Sequence, residues 1–325
     1  MMPRPTIAML IPAFNAAAYL PRLLESAARQ TEPFDEIWVY DDCSNDGTAE
    51  IAERYGTRLV RGDANRGCTY GKSVLAKMTS CDWIHFHDAD DLLLPNFMTT
   101  ARKWMTSADV DAVIFGCEER LENTGELIGV AIPDDRAVAS DAIGYTIGVK
   151  INAISGIYRR RSFLAAGGFD LDPEVHYNED QACHCKLARA GLRFRGDPTV
   201  TVVNLRRHSS MWTLNQDKCL RAHYHVMRKV LAGPGGESYK EAIAERLWHV
   251  VAGSASLLDW CTADDAATLA MQLAGPSVAP SGPIFRTLCQ LSPRFSLRAR
   301  EWLIRALKAR LRENYPGWRA PVSLL

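Results

Sequence analysis

The sequence predicts an α/β fold on a mostly parallel central sheet, followed by a mainly helical C-terminal region. Three observations predict it. Short apolar runs recur at Ile7–Ile11, Ile37–Tyr40, Leu59–Val60 and Trp83–His87. Segments with helical spacing separate them, so strand and helix alternate within the first ninety residues. Beyond residues 210 to 216 strand signals fade and helical ones dominate.

Each element has a local reason. Pro12 ends the first strand. Ala16 to Arg29 reads as a helix with Asn15 as its N-cap and Tyr19, Leu23, Leu24 and Ala27 on one face. The second strand runs into Asp41 and Asp42, and the turn-rich Ser44-Asn45-Asp46-Gly47-Thr48 leads into a helix over Thr48–Tyr55. Ser73–Met78 is helical and Trp83–His87 is the next strand. A strand is expected over Val110–Cys117 and a strand pair about Thr124-Gly125. Residues 133–147 give no clear pattern. Ser155–Arg159 reads as a strand, Ser162–Ala166 as a short helix, and Gly167-Gly168 as a loop. Glu179–Ala190 is a helix closed by Gly191. The expected domains are 1–215, with a first half to about residue 105 and a second over 106–215, and a helical region over 216–325.

Composition bounds the function. A 325-residue chain that is 47% hydrophobic buries about three quarters of its surface and is not disordered. Its 38 basic and 38 acidic side chains cancel, which argues against non-specific nucleic-acid binding. Nine cysteines, an odd number with Cys183 and Cys185 two apart, fit a reducing, cytoplasmic compartment rather than a disulfide framework. Pro12 and Asn15 interrupt the opening apolar run, so no secretory leader is expected. With no run of 18 apolar residues, no spanning helix is expected either.

In such sheets ligands bind beyond the carboxyl ends of the strands. Those ends carry Pro12 to Asn15, Asp41-Asp42 and Asp88-Ala89-Asp90-Asp91. Extended backbone would place Asp88 and Asp90 on one side and Asp91 on the other. Paired carboxylates suit magnesium or manganese shared with phosphate oxygens. The plainer alternative is that these acids start the helix beginning near Leu92. Glu179 and Asp180 head a helix, as a general base or as dipole and capping residues. His208, after Arg206-Arg207, either completes an oxygen-rich metal site or ends the domain in a solvated basic loop. His85 reads as structural, and His87 as a residue orienting an acid. His184 with Cys183 and Cys185 reads as core rather than zinc.

Four blocks, in order, resemble the family 2 glycosyltransferases with a GT-A fold, of the non-processive type. They are Ile11-Pro12-Ala13-Phe14-Asn15 with Tyr19-Leu20 and Gln30-Thr31; Val39-Tyr40-Asp41-Asp42-Cys43-Ser44-Asn45-Asp46-Gly47-Thr48; Asn65-Arg66-Gly67 with Phe86-His87-Asp88-Ala89-Asp90-Asp91 and Pro95; and Gly167-Gly168-Phe169-Asp170 with Asn178-Glu179-Asp180. Together they cover roughly residues 7–210.

The resemblance implies inverting, metal-dependent transfer of a sugar from a nucleotide-diphosphate donor, with UDP-sugar the expected donor, to a hydroxyl of a glycan or lipid-linked glycan. It implies that Pro12, Ala13, Phe14, Asn15, Asp41, Asp42, Asn65, Lys72, Asp88 and Ala89 hold the donor. Asp88 and Asp90 match the DxD motif and, with His208, would hold Mn2+ or Mg2+. Asp180 matches the catalytic base and Glu179 its helper. Two departures stand out: Cys43 is often glycine, and His87 replaces an aliphatic residue. The Gln-x-x-Arg-Trp element of processive synthases is absent, since residues 206–212 read RRHSSMW.

Two other classes fit these residues less well. A sugar nucleotidyltransferase would carry a Gly- and Arg/Lys-rich triphosphate loop, which PAFNAAAY is not. A non-catalytic nucleotide-sugar-binding protein would be expected to lose one of Asp88, Asp90 and Asp180, all of which are present. The final 35 residues hold eight basic and two acidic side chains. Their mixture of Leu297, Trp302, Ile304, Leu307 and Leu311 with arginines is either a peripheral membrane helix or a closing helix packed on the protein with its arginines in water.

Overall fold

A computed structural model describes residues 4–207, 211–279 and 282–307. Within the first two hundred residues the elements are β1 (Ile7–Ala13), α1 (Leu20–Ala28), β2 (Glu36–Asp41), α2 (Thr48–Arg54), β3 (Arg58–Arg61), α3 (Cys68–Met78), β4 (Trp83–Phe86), β5 (Leu92–Leu93), α4 (Phe97–Met105), β6 (Ala112–Leu121), β7 (Leu127–Ala131), α5 (Asp135–Ser140), α6 (Ala142–Gly148), β8 (Gly156–Arg159), α7 (Arg160–Ala165), α8 (Glu179–Arg189) and β9 (Phe194–Arg206). The chain divides into two compact units. The first holds the described residues to Thr146, Ile151–Leu171 and Glu179–Arg207. The second holds Ile147–Lys150, Asp172–Asn178 and the described residues after Arg207.

The sheet of the first unit runs β3-β2-β1-β4-β8-β6-β9-β5, with β7 paired to β6. Strands β3, β2, β1 and β4 are parallel. Beyond them the sheet becomes mixed: β8 is antiparallel to β4 and β6, β9 is parallel to β6, and β5 is antiparallel to β9. The order reverses at β1, which lies between β2 and β4. A crevice opens at such a reversal, and here it falls where Pro12–Asn15 and Asp88 leave their strands. Ile7 to Ile11 are fully buried, which is why the sequence shows a continuous apolar run rather than alternation.

Two helix starts differ from the sequence expectation for a local reason. Helix α1 starts at Leu20 rather than Ala16, because the amides of Ala16 and Ala17 donate to Thr48 Oγ1 (2.8 Å) and Asp46 Oδ2 (3.1 Å) instead of entering a helix. Asn15 is therefore no N-cap; it sits at φ 48, a left-handed conformation that asparagine tolerates. Helix α3 starts at Cys68, five residues earlier than expected. Gly71 permits this helix to press on the sheet: a Cβ there would stand 2.8 Å from Tyr40 Cδ1.

The second unit is helical: α9 (Met211–Leu214), α10 (Gln216–Ala232), α11 (Lys240–Ser256), α12 (Trp260–Ala274), α13 (Pro283–Leu291) and α14 (Pro293–Leu307). Its centre sets the small Ala263, Ala266, Ala267 and Ala270 of α12 beside large residues of α11 such as Leu247, Trp248 and Val251, all buried. Small against large lets the two helices pack closely.

Candidate active site

The loops after β1 and β2 are knitted together. The Asp42 amide donates to Ala13 O (2.8 Å), the Asn15 amide to Ser44 Oγ (2.9 Å), and the Asn45 amide to Asn15 Oδ1 (3.0 Å). Buried Asp41 accepts from the Ser44 amide (3.1 Å). Asp42 accepts from the amides of Arg66 (2.9 Å) and Gly67 (2.7 Å), and Asn65 Oδ1 from the Gly67 amide (3.2 Å). Asp42 and Asn65 thus brace the loop that leads into α3. Pro12 and Ala13 are buried at the end of β1, whereas Phe14 is exposed. Cys43 sits at φ 65, the left-handed region that favours glycine.

The four residues Asp88 to Asp91 form a turn, closed by the Asp91 amide on Asp88 O (3.2 Å), rather than the extended run read from the sequence. The turn separates its three acids. Asp88 is part-exposed and pairs with Lys72 Nζ at 3.0 Å. Half-buried Asp90 pairs with Arg207, whose guanidinium also lies 3.3 Å from Glu122 and 4.2 Å from the centre of the Tyr19 ring. Burial and the Asp88 charge raise the Asp90 pKa, and Arg207 opposes them. Asp91 is buried and accepts from Asn204 Nδ2 (2.8 Å) and the Leu205 amide (2.7 Å), which ties the turn to β9. Ala89 is buried between them. Arg206 pairs with Glu119, so neither arginine is part of a merely solvated loop. His208 lies outside the described residues.

Glu179 and Asp180 open α8. Asp180 Oδ2 accepts from the Ala153 amide (3.2 Å), and its Oδ1 lies 4.0 Å from Lys72 Nζ. Lys72 therefore stands between Asp88 and Asp180, with 1% of its side chain exposed. Burial alone would lower its pKa, but Asp88 and Asp180 outweigh it and hold it well above the ordinary value. Glu179 is buried beside the Cys68 thiol, which donates to its Oε1 at 3.5 Å. Burial first, then the Asp180 charge, pushes Glu179 up to about 7.

Two histidine arrangements stiffen this floor. His85 Nδ1 meets Gly156 O (2.8 Å) and His85 Nε2 meets His87 Nδ1 (3.0 Å). A carbonyl only accepts, so neutral His85 carries its proton on Nδ1, and His87 donates from Nδ1. Burial holds both rings below the ordinary pKa, His87 at about 3. His184 bridges Asp180 O (2.7 Å) and the Tyr158 hydroxyl (2.7 Å), while Cys183 and Cys185 are buried core.

Among the described residues, no three His, Cys, Asp or Glu side chains converge as a metal centre. Asp88 and Asp90 nevertheless fit a hard cation. They are two part-exposed carboxylates on one turn, Asp88 facing Lys72 and Asp90 facing Arg207. Such a pair would supply part of an oxygen shell, with phosphate or water supplying the remainder.

Residues 9–161 match the family model described as Glycosyl transferase family 2, so a little under half of the chain is similar to that family. The fold is GT-A-like. The described structure is similar to Staphylococcus aureus TarS 1–349 in complex with UDP-GlcNAc, at TM-score 0.70 and 16% identity over 93% of this chain and 92% of that one. It is also similar to the Pyrobaculum calidifontis mannosyltransferase PcManGT in complex with GDP-Man and Mn2+, at TM-score 0.58 and 20% identity over 97% and 89%. In sequence, 90 residues are 31% identical to an uncharacterized glycosyltransferase of Haemophilus influenzae, covering 27% of this chain and 31% of that one. The chain spans about a third of the length of such curated relatives.

Proposed function

We propose that this chain is an inverting, metal-dependent glycosyltransferase that moves a sugar from a nucleotide-diphosphate donor to a hydroxyl of a glycan or lipid-linked glycan. The observation that carries the reading is the placement of Lys72, which joins a part-exposed carboxylate on the β4 turn to a carboxylate at the head of α8. Transfer with inversion needs one base for the acceptor hydroxyl and a cation to offset the departing diphosphate, and these two carboxylates stand on either side of Lys72 to serve each role.

Asp88 and Asp90, with His208, are the residues to hold Mn2+ or Mg2+, which would offset charge on the departing diphosphate. The knitted loops from Pro12 to Asn15 and the buried Asp41 form the seat for base and ribose. Asp180 accepts the acceptor hydroxyl proton on Oδ1 while the Ala153 amide keeps Oδ2 in place. Oxygen then attacks the anomeric carbon from the face opposite the diphosphate. Glu179, with a pKa near 7, holds a proton over part of the neutral range and positions sugar or acceptor through a hydrogen bond. UDP-sugar is the preferred donor; the UDP-GlcNAc complex of TarS supports it, and the GDP-Man complex of PcManGT names the competitor to test. Nine free cysteines fit a cytoplasmic site of action.

The test is calorimetric titration of UDP- and GDP-sugars with Mn2+, with Mg2+ and with chelator, followed by acceptor screening. Metal-dependent binding of one donor and acceptor-dependent release of nucleoside diphosphate are expected. Donor binding unaffected by chelator, or release of pyrophosphate from a sugar phosphate and a nucleoside triphosphate, would contradict the reading.

A further inference from the structure

Helices α13 and α14 of the second unit leave a set of large apolar side chains in water. Along α14, Leu297 and Glu301 are buried, whereas Arg294, Arg298 and Arg305 keep 69%, 43% and 40% of their side chains exposed. Arg298 reaches Asp264 of α12 at 2.9 and 3.0 Å and lies 4.7 Å from the Trp260 ring centre. Arg305 donates to Ser256 O (2.8 Å) and pairs with Glu301 (2.9 Å). The large apolar side chains are left in water: Phe295 is 67% exposed, Trp302 68% and Leu307 77%. On α13, Ile284, Leu288 and Leu291 follow at helical spacing and are all exposed, Leu291 by 81%. The arginines thus keep much of their side chains in water, and large apolar side chains lie exposed beside them.

An exposed apolar face of this kind needs an occupant. The chain beyond Leu307 supplies the clue. Residues 308–325 carry Lys308, Arg310, Arg312 and Arg319 against Glu313, a net charge of three positive. An apolar helical surface continued by a basic segment is complementary to an anionic bilayer, whose boundary takes the side chains and whose headgroups take the charge. A second copy of the chain fits less well, because a two-fold contact through α14 would bring the exposed Arg294, Arg298 and Arg305 of both copies together. Among the described residues no helix is long and apolar enough to cross a membrane, so the contact lies along the surface.

We propose that α13 and α14 dock this protein on an anionic lipid surface, with Leu291, Phe295 and Trp302 entering the headgroup boundary. The proposal goes beyond the sugar-transfer reading, and lipid binding is read without turnover. The test is flotation of the full chain with vesicles of phosphatidylcholine alone and of phosphatidylcholine mixed with phosphatidylglycerol. Co-flotation with the anionic vesicles is expected, weakened by high salt. It should fall at least about tenfold in the double variant Leu291→Glu, Trp302→Glu, because charged groups replace two membrane-entering side chains. The milder pair Leu291→Ser, Trp302→Ser should weaken it in the same direction, and unchanged melting temperatures would exclude unfolding as the cause. Failure of the natural chain to float with anionic vesicles, or undiminished flotation of both folded variants, would overturn the proposal. So would a lipid-free dimer in sedimentation that the same variants dissociate, since the face would then belong to a second copy.

Discussion

The Lys72 ammonium lies 3.0 Å from Asp88 Oδ1 although only 1% of the lysine side chain reaches solvent. A buried cation is tolerated only where carboxylates face it, and Asp180 at 4.0 Å supplies the second. The lysine thereby fixes the distance between the β4 turn and the head of α8. Gly71, one residue earlier, allows α3 to approach the sheet closely enough for that reach.

Glu179 links pH to stability. Its folded pKa of about 7 lies above the ordinary 4.5, so the folded chain holds a proton that the unfolded chain has released. The Glu179 contribution is therefore full below about pH 4.5 and is lost as pH rises through 7, by about 3 kcal/mol in all. Glu179→Gln should flatten that slope in urea denaturation performed across this range. A slope as steep as that of the natural chain would show the carboxyl to be unperturbed.

Asp91 is the structural member of its acidic cluster. Asp91→Ala leaves Asn204 Nδ2 and the Leu205 amide without their acceptor, at a cost of about 1–3 kcal/mol. Asp88→Asn should cost less stability, because Asp88 is part-exposed. Equal urea midpoints for the two variants would contradict this division of roles.

Arg207 should couple the β4 turn to the end of β6. It meets Asp90 and Glu122 together over the Tyr19 ring. Arg207→Met is expected to lose about 2 kcal/mol, and a double-mutant cycle with Glu122→Gln to show coupling of at least about 0.5 kcal/mol. Additive losses would mean that the two groups act independently.

Cys43 occupies a glycine-like backbone at φ 65. Cys43→Gly should relieve that conformation and stabilise the chain by up to about 1 kcal/mol, read from chemical denaturation. A loss of stability would show that the thiol contributes more by packing than the backbone loses.

The parallel half of the sheet was legible because β1 to β4 are short, buried and ended by polar residues. The whole of β9 was missed. Its sequence FRGDPTVTVVNLR mixes Pro198, Asp197 and Asn204 into the strand, and the pairing with β6 jumps from Phe115↔Asp197 to Gly116↔Val200, leaving Pro198 and Thr199 in a bulge. No local pattern announces such a bulge. Asp88, Asp90, Glu179 and Asp180 stood out as charges at strand or helix ends. The bridge that Lys72 makes could not be read, since it depends on how residues 72, 88 and 180 are packed. The pairing of Arg207 with Asp90 was hidden for the same reason. Which apolar side chains of α14 stay exposed could not be read, because the sequence does not show that Asp264 and Trp260 lie within reach of Arg298.

The central claim is that Asp180 takes the acceptor proton while the Asp88–Asp90 turn serves the donor. Asp180→Asn keeps an oxygen for the Ala153 amide and so should preserve the fold. Calorimetric donor binding, measured beside transfer rate on the same preparation, separates the two roles. Donor affinity within about threefold of the natural chain, with transfer reduced at least about a hundredfold, is the predicted result. Near-natural transfer by the folded variant would contradict it.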